Sequence, residues 1–230
     1  MSKFHLEKQI ARLVVLQRIE LTSLLLKKVR KLFGRYIFSN YISKYFLNTK
    51  SIEKKYYTLM KSELESLEKH VNFENKKVLS IGGGVGGLEL LINKKFNSSI
   101  FFIEKNYISS KVKYGWDKDN DEAYNDLSLL NKFLLSNHMK KEKFKIFDYD
   151  RDSLPDEKFD IIVSLYSLDY HYDFNTYFDY IKKNSHQETV LIFDTIKADF
   201  YKEIFNKVKV IKIDNHTVHK SKRIMCSNII

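Results

Sequence analysis

Val78-Leu79-Ser80-Ile81-Gly82-Gly83-Gly84-Val85-Gly86-Gly87-Leu88-Glu89-Leu90-Leu91-Ile92 is the stretch on which the fold turns. The chain has only seven glycines, and five of them fall between Gly82 and Gly87. An apolar run leads in and an apolar helical pattern leads out, so the segment reads as strand, tight turn and helix. Glycine has no Cβ, so its backbone takes positive φ and lets a ligand approach closely. Free N–H groups at the start of the following helix favour an anionic or polar group. These residues point to a nucleotide-type cofactor held over Gly82, Gly84 and Gly86. The spacing alone leaves two readings open, a dinucleotide turn and the turn of a methyl donor. A phosphate-gripping P-loop is excluded, because no Gly-Lys-Ser/Thr follows.

Working outward, residues 77–230 alternate strand and helix patterns. Strands are predicted at Lys77–Ile81, Ser99–Glu104, Lys143–Phe147, Phe159–Leu165 and Thr189–Phe193. Helices are predicted at Gly87–Phe96, about Asn120–Met139, Phe174–Asn184 and Ala198–Asn206. The last two strands, Val208–Ile213 and Arg223–Ile229, have no helix between them and predict an antiparallel pair. That ending departs from the dinucleotide-binding fold. The expected architecture is an α/β, Rossmann-like sheet, mostly parallel with an antiparallel last strand.

Upstream, residues 1–72 are expected to form a helical extension and 73–230 the cofactor-binding domain. Leu13, Leu16, Ile19, Leu24 and Leu25 recur at roughly helical spacing beside Lys27, Lys28, Arg30, Lys31 and Arg35. Such a segment suits either a lid or homodimer face, or an amphipathic helix on an anionic membrane. A second helix is predicted from about Ser51 to Val71.

Composition narrows the function. The chain has 230 residues, a formal charge of +11 and 43% hydrophobic residues, enough for a substantial core and attractive to anionic partners. Its single cysteine, Cys226, makes no internal disulfide and no metal cluster. No stretch is long and apolar enough to span a membrane, and no signal-peptide pattern opens the chain, so the cytoplasm is expected.

In open parallel sheets ligands bind at the carboxyl ends of the strands. Glu104 ends the second strand, where a carboxylate can accept from both ribose hydroxyls. Asp148 follows the third and can accept from an adenine amino group, with Asp150 as the alternative. Asp148-Tyr149-Asp150-Arg151-Asp152 lacks the glycine and terminal glutamate of a calcium loop, so no metal is expected. Ser164 opens the segment after the fourth strand and joins the expected cofactor set. Beyond it lie Asp169, His171 and Tyr172. Imidazole titrates near neutrality, which suits His171 to remove a hydroxyl proton, with Asp169 orienting it or serving as the base.

The glycine turn, Glu104, the acidic loop and Phe159-Asp160-Ile161-Ile162-Val163-Ser164 together resemble class I S-adenosylmethionine-dependent methyltransferases. More narrowly, Tyr124-Asn125-Asp126-Leu127 and Ser164-Leu165-Tyr166-Ser167-Leu168-Asp169-Tyr170-His171-Tyr172 resemble bacterial sugar O-methyltransferases. Those carry Tyr-Asn-x-Leu at a helix start and Ser-Leu-x-Ser-Trp-Gly-Phe-His-Tyr-Pro after the fourth strand. The resemblance implies S-adenosyl-L-methionine as cofactor. It also implies a sugar, nucleotide-sugar or phosphorylated or phosphoramidate small molecule as acceptor, in surface-polysaccharide (capsule) biosynthesis. Tyr124, Asn125 and Tyr172 would then contact the acceptor, Tyr124 and Asn125 alternatively the cofactor. This chain departs at Leu168, Asp169 and Asp173, and has Thr195-Ile196 after Asp194 where the family often has Arg. Two alternatives remain, an RNA methyltransferase and an NAD(P)-dependent oxidoreductase. The missing Asn/Asp-Pro-Pro-Tyr/Phe turn weighs against a nucleic-acid acceptor, and the antiparallel ending against the oxidoreductase.

Overall fold

The computed structural model describes residues 4–106, 116–117, 122–123, 125–169, 173–214 and 221–230. Four helical segments come first: α1 (Lys8–Gln17), α2 (Leu24–Ile37), the single turn α3 (Ser43–Tyr45) and α4 (Thr49–Leu67). The alternating part follows with β1 (Lys77–Ile81), α5 (Gly87–Phe96) and β2 (Ser99–Glu104). A two-residue pair comes next, β3 (Trp116–Asp117) antiparallel to β4 (Glu122–Ala123), then α6 (Leu127–Ser136) and β5 (Phe144–Asp148). The chain closes with β6 (Phe159–Ser164), α7 (Asn175–Lys183), β7 (Ser185–Thr195), β8 (Phe205–Ile213) and β9 (Lys222–Ile229).

Seven strands make one sheet in the order β5-β2-β1-β6-β7-β9-β8. The first five run parallel, and β9 runs antiparallel to both neighbours. Continuous apolar runs such as Val78-Leu79 and Ile100-Phe101-Phe102-Ile103 are buried on both sides, as a sheet covered by two helical layers requires. Val78, Ile100, Phe102, Ile161 and Val163 face one core, into which α1, α4, α5 and α6 pack. Leu79, Ile81, Phe101, Ile103 and Ile162 face the other, closed by α7 and Tyr201.

Strands β1 and β2 and helix α5 keep their predicted limits. The helix predicted from Asn120 begins only at Leu127, because the Asp126 carboxylate accepts from Ser128 and Leu129 N–H and caps it there. The helix predicted over Ala198–Asn206 shrinks to one 3-10 turn, Phe200–Glu203. Tyr201 and Phe205 are drawn into an aromatic cluster with Phe174 and Phe193, and β8 starts at Phe205 instead. Packing there overrides local propensity.

The helices of residues 1–72 share their core with the sheet. Phe4, Ile10, Val14, Tyr56 and Leu64 belong to the same buried cluster as Val78 and Phe102. The apolar repeat from Leu13 to Leu25 is not one helix. It breaks after Gln17, with Leu21 buried and Leu24 and Leu25 exposed.

Candidate active site

The sheet order reverses between β1 and β6, which opens a crevice at the carboxyl ends of the strands. The turn after β1 lies there. Gly82, Gly84 and Gly86 take φ of +69°, +66° and +80°, the left-handed region that L side chains avoid. A Cβ on Gly82 would fall 1.8 Å from Ser167 Oγ, so the turn also needs glycine for space.

Glu104 ends β2 directly beside the turn. Its Oε1 accepts from the Gly84 N–H at 2.9 Å, and its Oε2 accepts from Asn125 Nδ2 at 2.9 Å. The Asn125 amide also donates to the Gly84 carbonyl at 3.0 Å and accepts from Gln17 Nε2 at 3.2 Å. Burial pushes the Glu104 carboxyl up to about 8, and the bonds from Asn125 and Gly84 pull the other way. Asp148 sits opposite Glu104 in register on β5. Its Oδ1 accepts from Asp150 N–H at 3.2 Å, and Arg151 lies 3.7 Å from its Oδ2. Ser164 Oγ donates to the Ile81 carbonyl at 2.7 Å and accepts from Leu168 N–H at 2.9 Å. It thus ties the loop after β6 to the end of β1.

Asp169 has its carboxylate bound by Thr195 Oγ1 and by the Tyr201 hydroxyl. Both Tyr166 and Asp169 adopt φ of +57°, so two non-glycine residues of this loop hold a conformation that clusters at functional sites. The structure therefore brings Gly82, Gly84, Gly86, Glu104, Asn125 and Ser164 together, with Asp148 beside Glu104 and Asp169 in the loop after β6, bonded to the end of β7. Tyr124, His171 and Tyr172 lie outside the described residues.

Sequence reading passed over four residues that the helices of 1–72 and α5 supply. Gln17 closes over the turn, its Oε1 2.7 Å from where a Gly84 Cβ would lie. Tyr56 Oη accepts from the Gly87 N–H at 3.1 Å. The Arg18 guanidinium lies 5.0 Å from the centre of the Tyr166 ring. Glu89 is buried beneath the turn, where Ser80 Oγ donates to its Oε1 at 2.6 Å and its Oε2 has no partner among the described residues. Burial pushes Glu89 up to about 7, with Ser80 and Arg18 among the groups that draw it back. Only Glu89 left a trace in the sequence, an acid inside the apolar run Leu88–Ile92.

A groove of about 410 Å³ also lies between α4 and α5, lined by Tyr57, Lys61, Leu64, Leu91 and Lys94. None of the residues that the sequence singles out as candidate site residues lines it. Among the described residues no cluster of three His, Cys, Asp or Glu is placed to hold a metal ion.

Left-handed glycines after β1, an acid after β2 and a reversed antiparallel hairpin at the sheet edge define an S-adenosylmethionine-dependent methyltransferase. The chain belongs to the methyltransferase domain family, whose profile matches residues 52–222. The chain is similar to solved structures at low identity. A candidate O-methyltransferase from Nostoc punctiforme is 12% identical with a TM-score of 0.50, over 75% of this chain and 60% of that one. Magnesium protoporphyrin IX methyltransferase from Synechocystis, with bound S-adenosylmethionine, is 16% identical with a TM-score of 0.47, over 97% of this chain and 98% of that one. A candidate sarcosine dimethylglycine methyltransferase from Galdieria sulphuraria is 14% identical with a TM-score of 0.39, over 64% of this chain and 49% of its own length. This chain thus spans about half of that protein. No curated protein matches the sequence significantly.

The residues present fit the family's cofactor. Gly82, Gly84 and Gly86 offer backbone without side chains, and Glu104 offers a carboxylate suited to a ribose diol. The family and the sheet order set aside the oxidoreductase alternative.

Proposed function

We propose that the chain is an O-methyltransferase whose acceptor is a sugar, nucleotide-sugar or phosphorylated or phosphoramidate small molecule of surface-polysaccharide (capsule) biosynthesis. The observation that carries this reading is the loop after β6. It combines the Ser164–Tyr172 motif with a strained backbone at the carboxyl end of the sheet. S-adenosylmethionine, when bound, supplies an electrophilic methyl group. Gly82, Gly84 and Gly86 would hold it by backbone contact, Glu104 would accept from its ribose, and Asp148 would accept from its adenine amino group. Asn125, already on Glu104 and Gly84, would keep that carboxylate in place. His171 removes the acceptor's hydroxyl proton, so that the oxygen attacks as its nucleophilicity rises. Asp169, held by Thr195 and Tyr201, is a positioning residue for the segment that carries His171. Tyr124 and Tyr172 contact the acceptor.

Departures from the family motif meet in space, which favours an acceptor unlike the family's usual one. Asp169 stands where the family tends to have Gly, and Thr195 where it often has Arg, and the two side chains bond to each other. Asp194 takes its guanidinium from Arg223 instead, through bonds of 3.0 and 3.1 Å.

The test is calorimetry with S-adenosylhomocysteine and NADH in parallel, followed by methyl transfer to nucleotide-sugars and phosphorylated sugars. Product binding without NADH binding, and transfer that His171→Ala lowers by about 100-fold or more with cofactor affinity unchanged, support the reading. Transfer to RNA but to no sugar, or full activity in His171→Ala, would overturn it.

A further inference from the structure

Residues 21–52 contain seven basic residues, Lys27, Lys28, Arg30, Lys31, Arg35, Lys44 and Lys50, and no acidic one. Elsewhere acids and bases are interspersed, so the one-sided charge of this segment is a local feature. It is also where exposed large apolar side chains concentrate among the described residues. Leu24 is 77% exposed, Leu25 69%, Leu32 78% and Phe33 53%, all on α2. Ile37, Tyr41, Tyr45 and Phe46 continue the exposed set along the turns that follow.

The segment is anchored, so this exposure belongs to a built platform. Leu26 packs against the core, and Phe38 is fully buried in it. Arg12 on α1 holds the following turn, donating to the Ser39 carbonyl at 2.9 Å and to Ser43 Oγ at 3.0 Å. Between these anchors α2 presents Leu25, Leu32 and Phe33 outward, with lysines flanking them. At helical spacing Leu25 and Leu32 share a face with Lys28 beside it, while Lys31, Arg30 and Lys27 lie further round the helix.

We infer that α2 and the turns through Phe46 form an interfacial docking surface for an anionic lipid bilayer. Leucine and phenylalanine enter the acyl boundary, and the lysines and arginines lie at the level of the phosphates. Charge selects this occupant over a second copy of the chain. An isologous contact through the same face would bring together two segments with seven bases each and no acid to offset them. An anionic surface neutralises them. The chain passes from Gln17 and Arg18, at the glycine turn and Tyr166, into this segment within a few residues, so docking sets the crevice close to the membrane. Among the described residues no helix is long and apolar enough to cross a membrane, and the contact is with one leaflet.

The test is flotation of the full chain with phosphatidylcholine vesicles, with and without phosphatidylglycerol, at low and high salt. The expected result is binding to the anionic vesicles only, weakened by salt. Leu32→Glu/Phe33→Glu and Lys27→Glu/Lys28→Glu should each reduce it by roughly tenfold or more. Lys207→Glu/Lys209→Glu on exposed β8 removes the same charge elsewhere and should leave it unchanged. The substituted side chains of α2 are exposed or half-buried, and thermal melts confirm that each variant folds. No binding to anionic vesicles, equal binding to neutral ones, or equal loss in the β8 variant overturns the inference. A solution dimer that Leu32→Glu/Phe33→Glu converts to a monomer, without vesicle binding, assigns the face to a second copy and overturns it as well.

Discussion

Thr195 Oγ1 donates to the carboxylate of Asp169, joining the end of β7 to the loop after β6. The Tyr201 hydroxyl shares that carboxylate, and Asp169 holds φ of +57° while doing so. Asp and Gly tolerate this conformation, and a branched or apolar residue does not. Asp169→Gly should therefore cost less than about 1.5 kcal/mol, because relief of backbone strain offsets the lost bonds. Asp169→Leu should cost about 2–4 kcal/mol, from strain plus two hydroxyls left without an acceptor. Chemical denaturation of both variants checks the order, and equal losses would remove the backbone from the explanation.

With Glu104 as the proposed ribose contact, stability and cofactor affinity should depend on pH in opposite directions. Its carboxyl stays protonated in the folded, ligand-free chain up to about pH 8, against 4.5 in an unperturbed glutamate. The stability it contributes is complete below pH 4.5 and is lost as pH rises through about 8. Glu89 acts in the same direction up to about pH 7. The melting temperature of the free protein should thus fall between pH 5 and 9, and Glu104→Gln should flatten the upper part of that fall.

In the proposed mode of binding, ribose hydroxyls donate to the ionised carboxylate, so binding expels a proton. S-adenosylhomocysteine should bind more tightly at pH 8.5 than at 6.5, by up to about tenfold per pH unit. Glu104→Gln should bind about 10- to 100-fold more weakly with no such dependence. Calorimetry in buffers of different ionisation heat counts the proton. Equal heats in all buffers would show that Glu104 is already ionised in the free protein.

Gly82 and Gly84 separate two reasons for glycine. Both have positive φ, but a Cβ on Gly82 meets Ser167 Oγ at 1.8 Å and Ser167 Cβ at 2.5 Å. A Cβ on Gly84 meets the mobile end of Gln17 at 2.7 Å. Gly82→Ala should cost about 3 kcal/mol or more, and Gly84→Ala about 1–2 kcal/mol, the strain of the left-handed backbone alone. Thermal melts rank them. A Gly84→Ala loss equal to that of Gly82→Ala would mean that Gln17 cannot move aside.

Arg223 is fully buried between Asp194 and Glu63, and Lys212 Nζ adds bonds to Glu63 at 2.9 and 3.1 Å. Burial pushes the Glu63 carboxyl up, and Arg223 and Lys212 outweigh it and hold it below the ordinary value. Arg223→Met leaves buried carboxylates without their cation and should cost about 3–5 kcal/mol. Adding Asp194→Leu and Glu63→Leu should recover most of that loss, because the desolvation cost leaves with the charges. Failure of the triple variant to recover would make the network's geometry, not its charge, the source of stability.

The parallel core was legible because its signals are local. Apolar runs with β-branched residues mark β1, β2 and β6, glycines mark the turn, and Glu104 follows its strand by simple adjacency. The antiparallel ending was equally readable, since no helix separates β8 from β9. What neighbouring residues impose could not be read along the chain. Tyr201 and Phe205 give up a helix for an aromatic cluster, and Gln17 and Tyr56 reach the glycine turn, and Arg18 the Tyr166 ring, across long sequence separations. Position marks Ser164 as a cofactor contact and Asp169 as a catalytic residue, and the fold engages both in holding the loop after β6. Backbone conformation and apolar periodicity are properties of a few consecutive residues, so the chain carries them openly. Which polar groups meet in a buried crevice depends on how the layers close, and that is decided only when distant segments exclude water together.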